Sequence, residues 1–153
     1  MSKEFKYQSY LDKYKNCPKD CEEKDLIAYR WVNSHPSNCD FYPVNLHPKI
    51  AARIVDDSDM MCTSYGLSLF KDLKSSIQKY IKDYNNRDRK SKKDKFKNEK
   101  GTCTAKVRIT KADGVCDTPV SSGHFNFFEY KDCNLLTTIT EKIDIFAYSG
   151  IVK

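Results

Sequence analysis

The stretch MMCTSYGLSLFKDLKSSIQKYIKDYN, residues Met60 to Asn85, decides how the rest of the chain is read. Tyr65, Leu67 and Leu69 alternate with Gly66, Ser68 and Phe70, which is the two-residue period of a strand. Leu73, Ile77, Tyr80, Ile81 and Tyr84 then fall on one face of a helix, and Asp72 stands where an N-cap belongs. A strand running straight into an amphipathic helix gives a sheet a layer to pack against. The glycine and hydroxyl at the strand's end mark a place suited to a small ligand.

Working outward, Leu26–Asn33 (LIAYRWVN) carries bulk on both faces and reads as a central strand. Arg30 interrupts it. Such an arginine needs an ion-pair partner or a path to solvent, or it serves an anion at the sheet end. Downstream, Thr102–Thr110 alternates strictly: Cys103, Ala105, Val107 and Ile109 on one face, Thr104, Lys106, Arg108 and Thr110 on the other. One buried and one wet face are expected. Asp113-Gly114 predicts a tight turn, with the chain returning through Val115–Val120. His124–Tyr130 (HFNFFEY) predicts another strand, Leu135–Ile139 fits strand or short helix, and Ile143–Tyr148 predicts the last strand. Upstream, residues 3–15 predict a helix with Tyr7, Tyr10, Leu11 and Tyr14 as a packing stripe, and Pro48–Val55 predicts a short one burying Ile50, Ala51 and Ile54. Asp56, Asp57 and Asp59 read as a solvated helix exit rather than a calcium loop. The fold class is therefore α+β: one domain over residues 1–153, a mostly antiparallel sheet against a central helix, with N-terminal helices.

At 153 residues, 39% apolar, the chain can bury roughly two thirds of its unfolded surface. No apolar run is long enough to span a bilayer, and MSKEFKYQSY has no hydrophobic signal core, so a cytoplasmic setting is expected. The seven cysteines are odd in number and read as reduced thiols. Cys17, Cys21, His35 and Cys39 form C-x3-C-x13-H-x3-C, which could alternatively hold zinc. Cys62 with His124, oriented by Asp40 or Glu129, is a possible thiol–imidazole pair, against a packed cysteine and an edge histidine.

The net charge is +6, and Arg87–Lys100 (RDRKSKKDKFKNEK) carries most of it. With Phe96 its only apolar residue, the run reads as an exposed helix extension or mobile loop outside the core. It is either a solvated linker or a contact for nucleic acid or a partner protein. No Walker loop, GxGxxG or HExxH occurs.

Tyr65–Tyr80 (YGLSLFKDLKSSIQKY), with Tyr29-Arg30 upstream, resembles ADP-ribosyltransferases and RES-domain proteins. That resemblance implies binding of, or action on, NAD or a related nucleotide. Arg30 would hold the pyrophosphate or nicotinamide ribose, and Ser68 would line the nicotinamide pocket. Glu129 or Glu141 would be the late acid that stabilises an oxocarbenium-like transition state. Tyr29, Tyr65, Gly66 and His124 would face the cofactor. The alternative expectation is a non-enzymatic accessory, adaptor or immunity-type protein that docks a macromolecular partner through 87–100.

Overall fold

A computed structural model describes residues 3–150 and is built on a six-stranded, wholly antiparallel sheet. The strands are β1 (Leu26–Val32), β2 (Leu67–Phe70), β3 (Cys103–Ile109), β4 (Gly114–Cys116), β5 (His124–Glu129) and β6 (Ile139–Asp144), in the order β4-β5-β2-β1-β3-β6. The helices are α1 (Gln8–Leu11), α2 (Ser58–Thr63), α3 (Leu73–Asn85), α4 (Lys90–Lys100) and α5 (Ile145–Ser149). The α+β class and the central helix are as the sequence predicts. Asp72 caps α3, its Oδ1 accepting from Ser75 N at 2.7 Å. The helix packs against β1, β2 and β3.

The sheet is strongly curled. Five residue steps join Ile109 on β3 to Gly114 on β4, a reach of about 18 Å if fully extended. A flat sheet would set those two strands about 19 Å apart, and the link is shortened further by Asp113 N donating to Thr110 O. Only a curled sheet brings them that close. The inner face wraps a core of Ala28, Val32, Leu67, Leu69, Val107, Phe125 and Phe127, closed by Phe41 and Leu135. On the opposite face, Ile77, Tyr80 and Tyr84 of α3 meet Phe96, Ile145 and Phe146. A third cluster, Leu11, Cys62, Val115 and Phe128, fastens the N-terminal segment over β4 and β5.

Several elements differ from the sequence expectation. The predicted β3–β4 hairpin does not form: the Asp113 turn is present, but β4 pairs with β5 and not β3. The 3–15 helix shrinks to α1, because Lys6 N donates to Glu129 O and Lys131 N to Glu4 O, leaving Phe5 bridged to Tyr130 as sheet. Pro48–Val55 is not helical: Asn45 takes both backbone groups of Arg53 with its side chain, and Ile54 is 88% exposed. The aspartates after it begin a helix instead of ending one, since Asp57 accepts from Met60 N at the start of α2. Ile143–Tyr148 divides into the end of β6 and α5, with Asp144 capping Phe146 N and Ala147 N. Thr104, expected on the wet face of β3, is buried and bonded to Ser76 of α3 at 2.7 Å.

Two further corrections concern cysteine and the basic run. Cys17 and Cys62 form a disulfide, so the thiols are not all free; Cys21, Cys39, Cys116 and Cys133 are. Phe96 is 3% exposed, so the basic run does contribute to the core. No helix among the described residues is long and apolar enough to cross a membrane.

Candidate functional site

A cleft of about 410 Å³ opens on the α3 side of the sheet. Ser68 and Phe70 of β2 and His124 and Asn126 of β5 contribute to its lining; the two residues on each strand share a face because side chains alternate. Lys79, Asp83, Glu99 and Lys100 border it from the α3–α4 side, and the 42–53 segment and Ser64-Tyr65-Gly66 region supply Tyr42, His47, Arg53, Ser64 and Gly66. Its volume lies within the usual span of small-molecule sites, about 300–1,000 Å³.

Arg30 enters this cleft from the sheet itself. It shares a face with Ala28 and Val32, which point to the inner core, yet its guanidinium lies where β1 and β2 stop pairing. Those strands share the single register pair Tyr29–Phe70. Beyond it, Arg30 Nη1 donates to Ser68 O at 2.9 Å, while Nε and Nη2 donate to Asp40 O at 2.6 Å and Tyr42 O at 3.2 Å. All three acceptors are neutral carbonyls. The nearby carboxylate, Asp40, is occupied by Asn33 N, Asn33 Nδ2 and Ser37 N. Arg30 thus satisfies much of its hydrogen bonding without having its charge cancelled by a direct ion pair. Burial lowers its pKa to about 10, against the opposing pull of Glu129, Asp40 and Tyr7, so it stays cationic at neutral pH.

Lys100 and Arg53 are in a similar position. Neither side chain makes a hydrogen bond or ion pair with any of the described residues. Burial and then repulsion from Arg30 lower the pKa of Lys100, and the same two causes lower that of His47. Lys79, by contrast, is balanced by Asp83 at 3.1 Å.

The resemblance-derived residues divide. Arg30, Ser68, Gly66 and His124 converge on the cleft, and His124 Nε2 lies 2.9 Å from Ser68 Oγ. The ring is held neutral at ordinary pH chiefly by burial, with Lys79 and Arg30 adding to the effect and Asp117 opposing it. Gly66 allows close packing, since a Cβ there would lie 3.0 Å from the Phe128 ring. Tyr29 lies opposite Phe70 and Lys106 and Tyr65 stacks on Tyr10; neither lines the cleft. Glu129 points to the inner core, 3% exposed and paired with Lys6 at 2.7 Å. Glu141 is exposed on edge strand β6, opposite Lys106.

The two cysteine-based expectations are overturned. Cys17 and Cys62 are bonded to each other, which breaks both the zinc set with Cys21, His35 and Cys39 and the thiol–imidazole pair of Cys62 with His124. No three His, Cys, Asp or Glu among the described residues are grouped to hold a metal. Arg53, Lys100 and Trp31 escaped the sequence reading. Lys100 at the end of the basic run was the one with a signal, its charge. Comparison with protein-family models, with curated proteins and with solved structures finds no match.

Proposed function

We propose that this protein binds a phosphate-bearing nucleotide, NAD or a related molecule, in the cleft beside α3. The observation that carries the reading is the convergence of Arg30, Arg53 and Lys100, three cations without an ion-pair partner among the described residues. Like charges held around one cavity repel, and a bound anion would relieve that repulsion. Arg30 still has guanidinium hydrogens to offer a phosphate, and its fork is already anchored. Trp31, Phe70 and Tyr42 add aromatic surface for a base or nicotinamide ring.

The reading stops at binding. Transfer of ADP-ribose needs a carboxylate at the ribose; neither Glu129 nor Glu141 lines the cleft, and of the acids that do, Asp40 is taken up by Asn33 and Ser37, Asp83 by Lys79 and Glu99 by Lys95. A cleft site also fits the charge distribution better than a docking face on the basic run. Arg87 lies over the Phe96 ring, Lys93 donates to Arg87 O, and Lys97 lies over Phe146, so three of that run's cations are committed to packing.

Trp31 lines the cleft and is the chain's single tryptophan, so its emission reports occupancy. Titration with NAD, ADP-ribose or ADP is expected to change it saturably. Lys100→Ala and Arg53→Ala should each weaken binding about tenfold, the worth of one charge-assisted contact. An unchanged spectrum and no calorimetric heat with all three compounds at millimolar concentration would sink the reading.

A further inference from the structure

The floor of the cleft carries a pair of groups that nucleotide binding leaves unused. We propose that Ser68 is a nucleophile activated by His124, and that the cleft cleaves a carboxylic ester of a phosphate-bearing alcohol. The proposal rests on the cleft being a ligand site, and adds chemistry to it.

The geometry is that of a nucleophile and its base. Ser68 Oγ and His124 Nε2 are 2.9 Å apart, within the reach a general base needs. Antiparallel pairing fixes the contact: Phe70 lies opposite His124 and Ser68 opposite Asn126, so serine and histidine are same-face neighbours on adjacent strands. The hydroxyl is exposed to the cleft, whereas the ring is half-buried and lies edge-on to Phe70 at 5.7 Å between centroids. The charged groups acting on the ring are Asp117 from the β4–β5 connection, Lys79 from α3 and Arg30 from β1. Asp117 is fixed by two hydrogen bonds from Asn126, at 2.7 and 2.8 Å.

Ser68 also has a means of stabilising an oxyanion. Its carbonyl points toward β1, since it accepts from Arg30. In a strand the N–H of a residue points the same way as its C=O, so Ser68 N–H faces the side where Arg30 takes the place of the ladder. An amide and a guanidinium on one side of the nucleophile are the donor types that meet negative charge on a tetrahedral intermediate.

The reaction balances without a co-reactant other than water. Ser68 Oγ attacks the ester carbonyl carbon as its proton passes to His124 Nε2. The bond to the alcohol oxygen breaks, and His124 returns the proton to the departing alcohol. Water then attacks the acyl-serine, again giving its proton to His124; the acid leaves and Ser68 takes the proton back. Arg53 and Lys100 would hold the phosphate of the alcohol part.

The test is labelling of the protein by an alkyl fluorophosphonate, read by intact mass and peptide mapping. One adduct is expected, on Ser68, absent in Ser68→Ala, at least about a hundredfold slower in His124→Gln, and unchanged in the exposed-helix control Ser91→Ala. The labelling rate should fall as pH drops through a midpoint below the usual histidine value of 6.5. Excess ADP should protect Ser68 in the wild-type protein, a measurement that needs no variant. No adduct, an adduct elsewhere, or full-rate labelling of His124→Gln overturns the proposal. The two readings fail separately: Trp31 titration by ADP without labelling sinks the dyad alone, and labelling of Ser68 without any ADP response sinks nucleotide binding alone.

Discussion

Glu129 shows how much a single buried charge can set. Its carboxylate is nearly sealed from water; Oε2 meets Lys6 and Oε1 has no hydrogen-bond partner among the described residues. Burial raises its pKa above the ordinary 4.5, while Lys6, Cys133 and Arg30 pull the other way. A folded-state pKa above the unfolded one means the native state holds its proton longer. The stability from this group is therefore present below about pH 4.5 and lost as pH rises through the shifted value. Denaturant melts across that range should show Glu129→Gln flattening the dependence. Lys6→Ala should cost about 3 kcal/mol at neutral pH, because it leaves the carboxylate buried and alone. A neutral-pH loss below about 1 kcal/mol would mean that water reaches the site. The arginine in LIAYRWVN could be flagged from its neighbours alone. That it would end on three backbone carbonyls could not, because Asp40, Tyr42 and Ser68 belong to other segments.

At the scale of elements, α4 is the instructive case. Its sequence has one apolar residue and a charge on most others, so no periodic apolar stripe announces a packed helix. Phe96 is its apolar anchor, with its ring 4.9 Å from Tyr80 and 6.0 Å from Trp31. Arg87 covers the ring from outside at 4.5 Å. Phe96→Ala is expected to cost about 3 to 5 kcal/mol and to free the amides of α4 before those of α3 in hydrogen exchange. Equal protection in both helices would show that α4 is held by something else. A similar limit explains β6 and α5. Ile143, Ile145 and Phe146 are apolar and fit a strand or a helix; Asp144 decides by capping the second. For α3 and β3 the local signal was sufficient. Long alternation, regular spacing and a capping aspartate agree there, and the structure keeps both elements, Thr104 being the one residue of the expected wet face of β3 that is buried.

Across the whole molecule, the Cys17–Cys62 bond ties the N-terminal segment to α2, which leads directly into β2. It closes a stretch 45 residues apart, worth about 4 kcal/mol in the chain-entropy account. Cys17→Ser with Cys62→Ser, or reduction of the wild type, should lower the melting temperature by several degrees while leaving α3 and the sheet intact. A melting curve that ignores reductant would show that the bond carries no stability. The disulfide also removes a support for the cytoplasmic expectation, which rested in part on reduced thiols.

By itself the chain determined its α+β class, its central helix with an aspartate cap, and the strands whose alternation is unbroken. These follow from contacts within about four residues, where sterics and local hydrogen bonds choose the conformation. Only the tertiary structure decided which strands are neighbours, which cysteines meet, and which of the singled-out residues share a cleft. Ser68 and His124 stand 56 positions apart and touch because β2 and β5 are adjacent, an outcome of packing both faces of a curled sheet at once. No local pattern carries that information, because the free energy that selects it belongs to the assembled core.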